Sequence, residues 1–285
     1  DYFPGDPPFI TDKRKDSFYK KSITLLENEF SVLLERLRGS IPFFSYRYQA
    51  HMNWDLTLPG ILGYFSAMLY NQNNVAAEAS PVTALLEIQV GEDLCRMLGF
   101  YIPTKEESDA GAVSPWGHVT CDGSIANFEA MWSARNLKYF PVSLAQALKN
   151  EESLGPAVHM PVRLLNGTSA PLISLDPWDL LNLPVDEVLA LTIKIEEDYG
   201  IPSAVITEAL DPYLFQSAGF YEFAMYLGST PWPVVMGSST KHYSWPKNAA
   251  ALGIGKNNFI NIAVDKNARM DTANLRTHLD TCLVR

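Results

Sequence analysis

The chain has 285 residues, 47% hydrophobic and 19% charged, enough apolar material for one large core or about one and a half domains, and its composition excludes a disordered protein. A net charge of −10 with no basic run interleaved with aromatics argues against a nucleic-acid surface. Cys95, Cys121 and Cys282 stand far apart without CxxC spacing, so neither a disulfide framework nor a zinc site is favoured, and a reducing, cytoplasmic setting is expected.

Residues 1–11, rich in Pro and aromatics, suit an extended arm. They lack the basic and then apolar regions of a signal peptide, and no uncharged apolar run reaches the roughly 18 residues of a membrane span. From Ser17 to Arg38, Phe18, Leu25, Leu26, Phe30, Leu33, Leu34 and Leu37 form a broad helical stripe that stops at Gly39. Such a helix serves either a partner subunit or its own domain's core. Ile41 to Leu58, IPFFSYRYQAHMNWDLTL, mixes aromatic, amide, basic and acidic groups without clean periodicity. It lines a pocket through residues such as His51, Asn53 and Asp55, or it packs as a loop whose polar groups satisfy one another. Pro59 to Tyr70 continues as an apolar helix, Asn71 to Asn74 breaks it, and Ser80-Pro81 opens a helix that Gly99 ends.

Trp116 to Cys121 reads as an apolar strand. It breaks at Asp122-Gly123-Ser124 into a helix whose Ile125, Phe128, Met131 and Trp132 recur at three- and four-residue spacing. Such a turn leaves backbone N–H groups free at the positive end of the helix dipole, beside a hydroxyl, and suits a phosphate. A plain βα turn capped by Asp122 has the same composition. Pro141 to Pro184, interrupted by Pro156, Pro161, Pro171 and Pro177 and carrying an Asn166-Gly167 turn, predicts a loop-rich surface insertion. A helix follows from Asp186 to Tyr199, stopped by Gly200, and Thr207 is expected to cap another that runs through Tyr226. Trp232 to Met236 and Asn258 to Val264 read as strands, with His242 between them in a Ser/Thr-rich loop. Short apolar strands alternating with helices predict a mostly parallel α/β sheet. Ligands of such sheets bind beyond the carboxyl ends of the strands, so the Gly123-Ser124 turn and His242 can face one crevice. A phosphate cofactor with a flat ring, such as pyridoxal phosphate, would use both; a lone histidine there otherwise serves structure.

The segments FFSYRYQAHMNWDLTLPGILGYFSAMLYNQNNVAAEASP, WGHVTCDGSIANFEAMWSARNLKYFP and STKHYSWPKNAAALGIG resemble the amino-terminal half of the group II pyridoxal-phosphate-dependent amino acid decarboxylases. The HMNWD segment and the NQNNVAAEASP run are most similar to their tyrosine decarboxylase branch. The resemblance implies fold type I, aspartate aminotransferase-like: a mostly parallel sheet flanked by helices. Residues 1–100 would form an N-terminal arm and helical segment, and 101–285 the first part of the large cofactor-binding α/β domain.

The resemblance further implies that Gly123 and Ser124 bind the cofactor phosphate, that Asn127 belongs to the same GSxAN cofactor pattern, and that His242 stacks on the pyridine ring as a catalytic residue. Phe44, Tyr46, Arg47, Tyr48, His51 and Asn53 fall in the segment that in relatives contributes to the substrate pocket, often across the dimer interface. The implied activity is decarboxylation of an aromatic L-amino acid, tyrosine favoured, by a cytoplasmic homodimer carrying pyridoxal 5′-phosphate. An aldehyde synthase of the same family, a non-catalytic paralogue and a phosphate-ligand-binding module stay open. The family's His-Lys motif, with the lysine that binds the cofactor covalently, is absent, as is its Asp-Ala-Ala motif, whose Asp holds the pyridinium proton. Lys241 precedes the histidine and is not assigned that role. A second chain or further segment, the carboxy-terminal half, is expected to supply both groups.

Overall fold

A computed structural model of the chain describes residues 16–50 and 56–283, and the chain divides into two units, 1–86 and 87–285. The arm expected over 1–11 lies outside the described residues.

In the first unit, Asp16 starts α1 (Ser17–Leu37) by accepting a 2.8 Å hydrogen bond from the Phe18 N–H. Thr57 does the same for α2 (Leu58–Tyr70) by accepting from Gly60, and Asn71, in the left-handed region at φ 48°, ends it. Neither helix buries a single residue; the expected apolar stripe of α1 is present but exposed. The polar break after α2 folds on itself. Buried Ser80 donates to Gln72 and bonds Thr83, whose hydroxyl donates to Asn74 at 2.6 Å. Ser80 is therefore an anchor of that loop, and α3 (Thr83–Met97) begins three residues beyond it.

In the second unit, Gly99 leaves α3 at φ 86° as expected, and a capping box of Thr104 and Glu107 opens the short α4 (Lys105–Asp109). Residues 112–120 hold no regular element, so the strand expected over Trp116 to Cys121 does not form. A strand needs a neighbour to complete its ladder, and no described residue provides one. The helix predicted at Gly123 does form and runs much further than its proline suggested: α5 spans Gly123–Asn150 with Pro141 inside it. An interior proline costs a helix about 3 kcal/mol. Val142, Leu144 and Leu148 follow within the next two turns, almost wholly buried, and at roughly 1.5–3 kcal/mol each they outweigh that cost.

The loop-rich surface insertion expected over Pro141 to Pro184 is overturned by this burial. After α5 the chain makes a hairpin of β1 (Pro161–Arg163) and β2 (Ser169–Pro171), closed at Asn166-Gly167. Leu154, Met160, Val162 and Leu172 of this stretch are in the main core. Pro161 and Pro171 sit at strand ends and Pro177 opens α6 (Pro177–Leu181), where a missing N–H is harmless. α7 (Val185–Tyr199) ends at Gly200, φ 67°, as predicted. Thr207 caps nothing. It lies inside α8 (Ser203–Leu210), its hydroxyl donating to the Ser203 carbonyl, and α9 (Phe215–Leu227) follows separately, broken at Gly219.

Val235–Ser238 (β3) and Phe259–Ile262 (β4) pair in parallel, with Val235 opposite Phe259 and Ser238 opposite Ile262. Both lie within or beside the predicted strands; β3 begins late because Pro233 has no N–H for a ladder. Trp232 packs instead against the main core, stacked on Phe220 at 4.8 Å. Helix α10 (Ser244–Ala251) links the two strands, and α11 (Thr272–Leu283) follows. Of the mostly parallel sheet expected, the described residues form one parallel pair, β3 and β4 joined by α10, which is compatible with that architecture and is a small part of it. Among the described residues the remaining sheet is the β1–β2 hairpin, and helices dominate. No described helix is long and apolar enough to cross a membrane.

Candidate functional site

The first turns of α5, helix α10 and strand β4 share a small core of Met131, Ala249, Leu252, Ile254 and Phe259, flanked by Phe128, Val235 and Trp245. This packing brings residues more than a hundred positions apart together at the start of α5. Two amide bridges tighten the junction: Asn127 Nδ2 donates to Ser244 Oγ at 2.9 Å, and Asn248 Nδ2 donates to the Ser124 carbonyl at 2.9 Å. Deeper along α5, Arg135 donates to the Leu252 carbonyl at 2.8 Å and lies 4.5 Å over the Phe215 ring, where burial lowers its pKa.

At the helix start, Asp122 Oδ1 accepts from the Ile125 N–H at 2.8 Å, so the capping role open in the sequence is present. The cap leaves the N–H groups of Gly123 and Ser124 and the Ser124 hydroxyl without a described partner. A Cβ built on Gly123 would meet no atom within 4 Å. Two free donors, a hydroxyl and open space at a helix N-terminus fit a phosphate, which the Asp122 carboxylate opposes.

The loop after β3 is held by the Ser239 N–H donating to the Ile262 carbonyl at 2.8 Å and that of Lys241 to the Ser238 carbonyl at 3.1 Å. Lys241 Nζ bonds Asn261 Oδ1 and lies 4.8 Å over the Phe259 ring, committing it to β4. His242 is exposed and lies against the Tyr243 ring at 4.1 Å; its Nδ1 is 2.9 Å from Ser244 Oγ. Ser244 thus joins Asn127 of the GSxAN pattern to His242 directly.

Four of the cofactor and catalytic candidates, Gly123, Ser124, Asn127 and His242, therefore converge. Phe44, Tyr46, Arg47 and Tyr48 lie in the first unit, where the Phe43 and Tyr48 rings meet edge-on at 4.7 Å and Arg47 sits 5.7 Å over Tyr46. His51 and Asn53 lie outside the described residues. Sequence reasoning passed over Ser244 and Asn248, which bind the two halves of the junction; the two-residue spacing of His242 and Ser244 at a helix start was the available signal. It also passed over a Trp116–His118–Glu129 chain, in which Trp116 Nε1 donates to His118 Nδ1 at 3.0 Å and His118 Nε2 lies 2.6 Å from Glu129 Oε2.

No family model matches the chain. An L-tyrosine decarboxylase of Levilactobacillus brevis is 34% identical over 273 residues, 95% of this chain and 36% of that protein. An L-tyrosine decarboxylase of Enterococcus faecalis (strain ATCC 700802 / V583) is 32% identical over 273 residues, with the same shares, and one of Enterococcus faecium is 32% identical over 275 residues, 95% of this chain and 37% of that protein. The chain thus resembles, over nearly its whole length, the tyrosine decarboxylase branch of the amino acid decarboxylases, and it spans little more than a third of the length of those curated relatives.

Proposed function

We propose that this chain supplies the phosphate cradle and the ring-facing histidine of a pyridoxal-phosphate-dependent decarboxylase that converts an aromatic L-amino acid, tyrosine favoured, into its amine and CO2. The observation that supports this reading is the Asn127–Ser244–His242 connection, which ties the helix turn that follows Gly123 and Ser124 to the loop that carries the histidine. When bound, pyridoxal phosphate supplies an electron sink for the charge left as the carboxylate departs. Gly123 and Ser124 would hold its phosphate through two N–H groups and a hydroxyl. Asn127 keeps its own amide on Ser244 and so acts on the cradle from behind. The His242 imidazole would brace one face of the ring. Phe44, Tyr46, Arg47 and Tyr48, with His51 and Asn53, would contribute to the side-chain pocket.

The covalent lysine and the pyridinium-holding Asp come, in this reading, from a carboxy-terminal complement, within a cytoplasmic fold-type-I homodimer. Residues 1–100 would then serve as arm and helical segment, and 101–285 as the opening part of the cofactor domain. The test is a decarboxylation assay on the complemented protein, with and without His242→Ala. Amine formation lost in the variant at unchanged thermal stability supports the reading; equal collapse of both would make the histidine structural.

The Asp122 cap favours one other reading, a turn that serves structure alone. It predicts that phosphate compounds leave the protein's melting temperature unchanged.

A further inference from the structure

We propose that Ser244 is a positioning residue that fixes the tautomer of His242, holding Nδ1 as an acceptor and placing the ring proton on Nε2. The inference concerns the same site as the proposed decarboxylase and takes its functional meaning from that reading, but it stands on geometry that needs no cofactor.

Three contacts meet at this point. The Asn127 amide donates to Ser244 Oγ at 2.9 Å, so the serine's own proton is free for another acceptor. His242 Nδ1 is 2.9 Å from the same oxygen. The backbone N–H of Ser244, which only donates, also points at Nδ1, at 3.3 Å. A nitrogen facing two donors carries its lone pair there, and in a neutral imidazole the proton then belongs to the other nitrogen. Ser244 is 2% exposed, so water does not compete for its hydroxyl. His242 Nε2 has no described partner and is left as the donor.

The position of Ser244 is itself set by the fold. It is the first residue of α10, whose Asn248, one turn on, donates to the Ser124 carbonyl. A ligand group seated on the Gly123-Ser124 turn and a ring group against His242 would thus be registered through one short polar chain. Without the serine hydroxyl, the backbone N–H alone would bias the ring, and the proton would be shared more evenly between its nitrogens.

The experiment is two-bond proton–nitrogen NMR on the protein labelled with 15N-histidine, His242 being assigned by the signals that vanish in His242→Gln. The wild type is expected to show an unprotonated Nδ1 and a protonated Nε2. Ser244→Ala should shift the tautomer ratio by about fivefold, the change expected for one lost neutral hydrogen bond, and Ser244→Thr, which keeps the hydroxyl, should restore it. A wild-type ring protonated on Nδ1, or an unchanged ratio in Ser244→Ala, overturns the proposal. Should Ser244→Ala fail to fold, the wild-type tautomer and the threonine variant decide it. An Nε2–H ring in a protein that binds no pyridoxal phosphate would sink the decarboxylase reading alone; cofactor binding with an Nδ1–H ring would sink this one alone.

Discussion

Gly123 can be changed without disturbing the fold, because an added methyl group there meets no atom within 4 Å and the helix begins at that residue. Gly123→Ala should therefore leave the melting temperature unchanged or slightly raised, since alanine loses less freedom than glycine in a helix. The same methyl group would fill the space a phosphate needs, so affinity for pyridoxal phosphate should drop. A thermal melt and a cofactor titration on one preparation separate the two effects. Ser143 offers the opposite case: it is 1% exposed and its hydroxyl has no hydrogen-bond partner among the described residues. An orphaned buried hydroxyl costs about 1–3 kcal/mol, and Ser143→Ala should raise stability by around 1 kcal/mol in denaturant unfolding. At this scale the sequence was informative where chemistry is local. Gly123, Ser124 and His242 were identified from their neighbours and from resemblance, whereas Ser244 and Asn248 acquire meaning only when α10 folds onto α5.

Helix α5 organises the second unit, and its length shows what a local reading loses. Pro141 is a breaker by propensity, yet the helix crosses it because Val142, Leu144, Ala145 and Leu148 are sealed into the main core. Truncating one of them should be expensive: Leu144→Ala is expected to cost about 2–5 kcal/mol, read from denaturant melts. Gly200, which tolerates a left-handed turn, and the Asn166-Gly167 turn were legible because their signals are confined to a few residues. The strand expected at Trp116 to Cys121 was not, since strand formation depends on a partner elsewhere in the chain. Besides the His118–Glu129 contact, close backbone packing holds that segment: a Cβ on Gly91 of α3 would fall 1.9 Å from the Gly117 carbonyl oxygen. Gly91→Ala should therefore destabilise the second unit while leaving the Asn127–Ser244–His242 connection in place.

Over the whole molecule, the main core holds the second unit together, while α1 and α2 leave Phe18, Leu25, Leu62, Phe65, Leu69 and Tyr70 exposed. Exposed apolar surface of this kind is a general mark of an interaction face. Alkaline pH should weaken the second unit in a defined window. Burial pushes the Tyr139 phenol up to about 12, and a 2.7 Å hydrogen bond to Glu151 holds Tyr213 up to about 12 as well. Both bind their proton more tightly when folded, so their contribution is complete below the ordinary phenol value of about 10 and is lost as pH rises toward about 12. Melts between these limits should show stability falling with pH, less steeply in Tyr139→Phe.

The most direct test of the functional account is a comparison of pyridoxal 5′-phosphate with phosphate-free pyridoxal by equilibrium titration, in the wild type and in Ser124→Ala. A hydrogen bond to a charged group is worth about 1.5–3 kcal/mol. The wild type is expected to prefer the phosphorylated compound, and Ser124→Ala to lose about tenfold or more of that preference. Equal affinity for the two compounds, or a preference untouched by Ser124→Ala, would contradict a phosphate cradle at the start of α5.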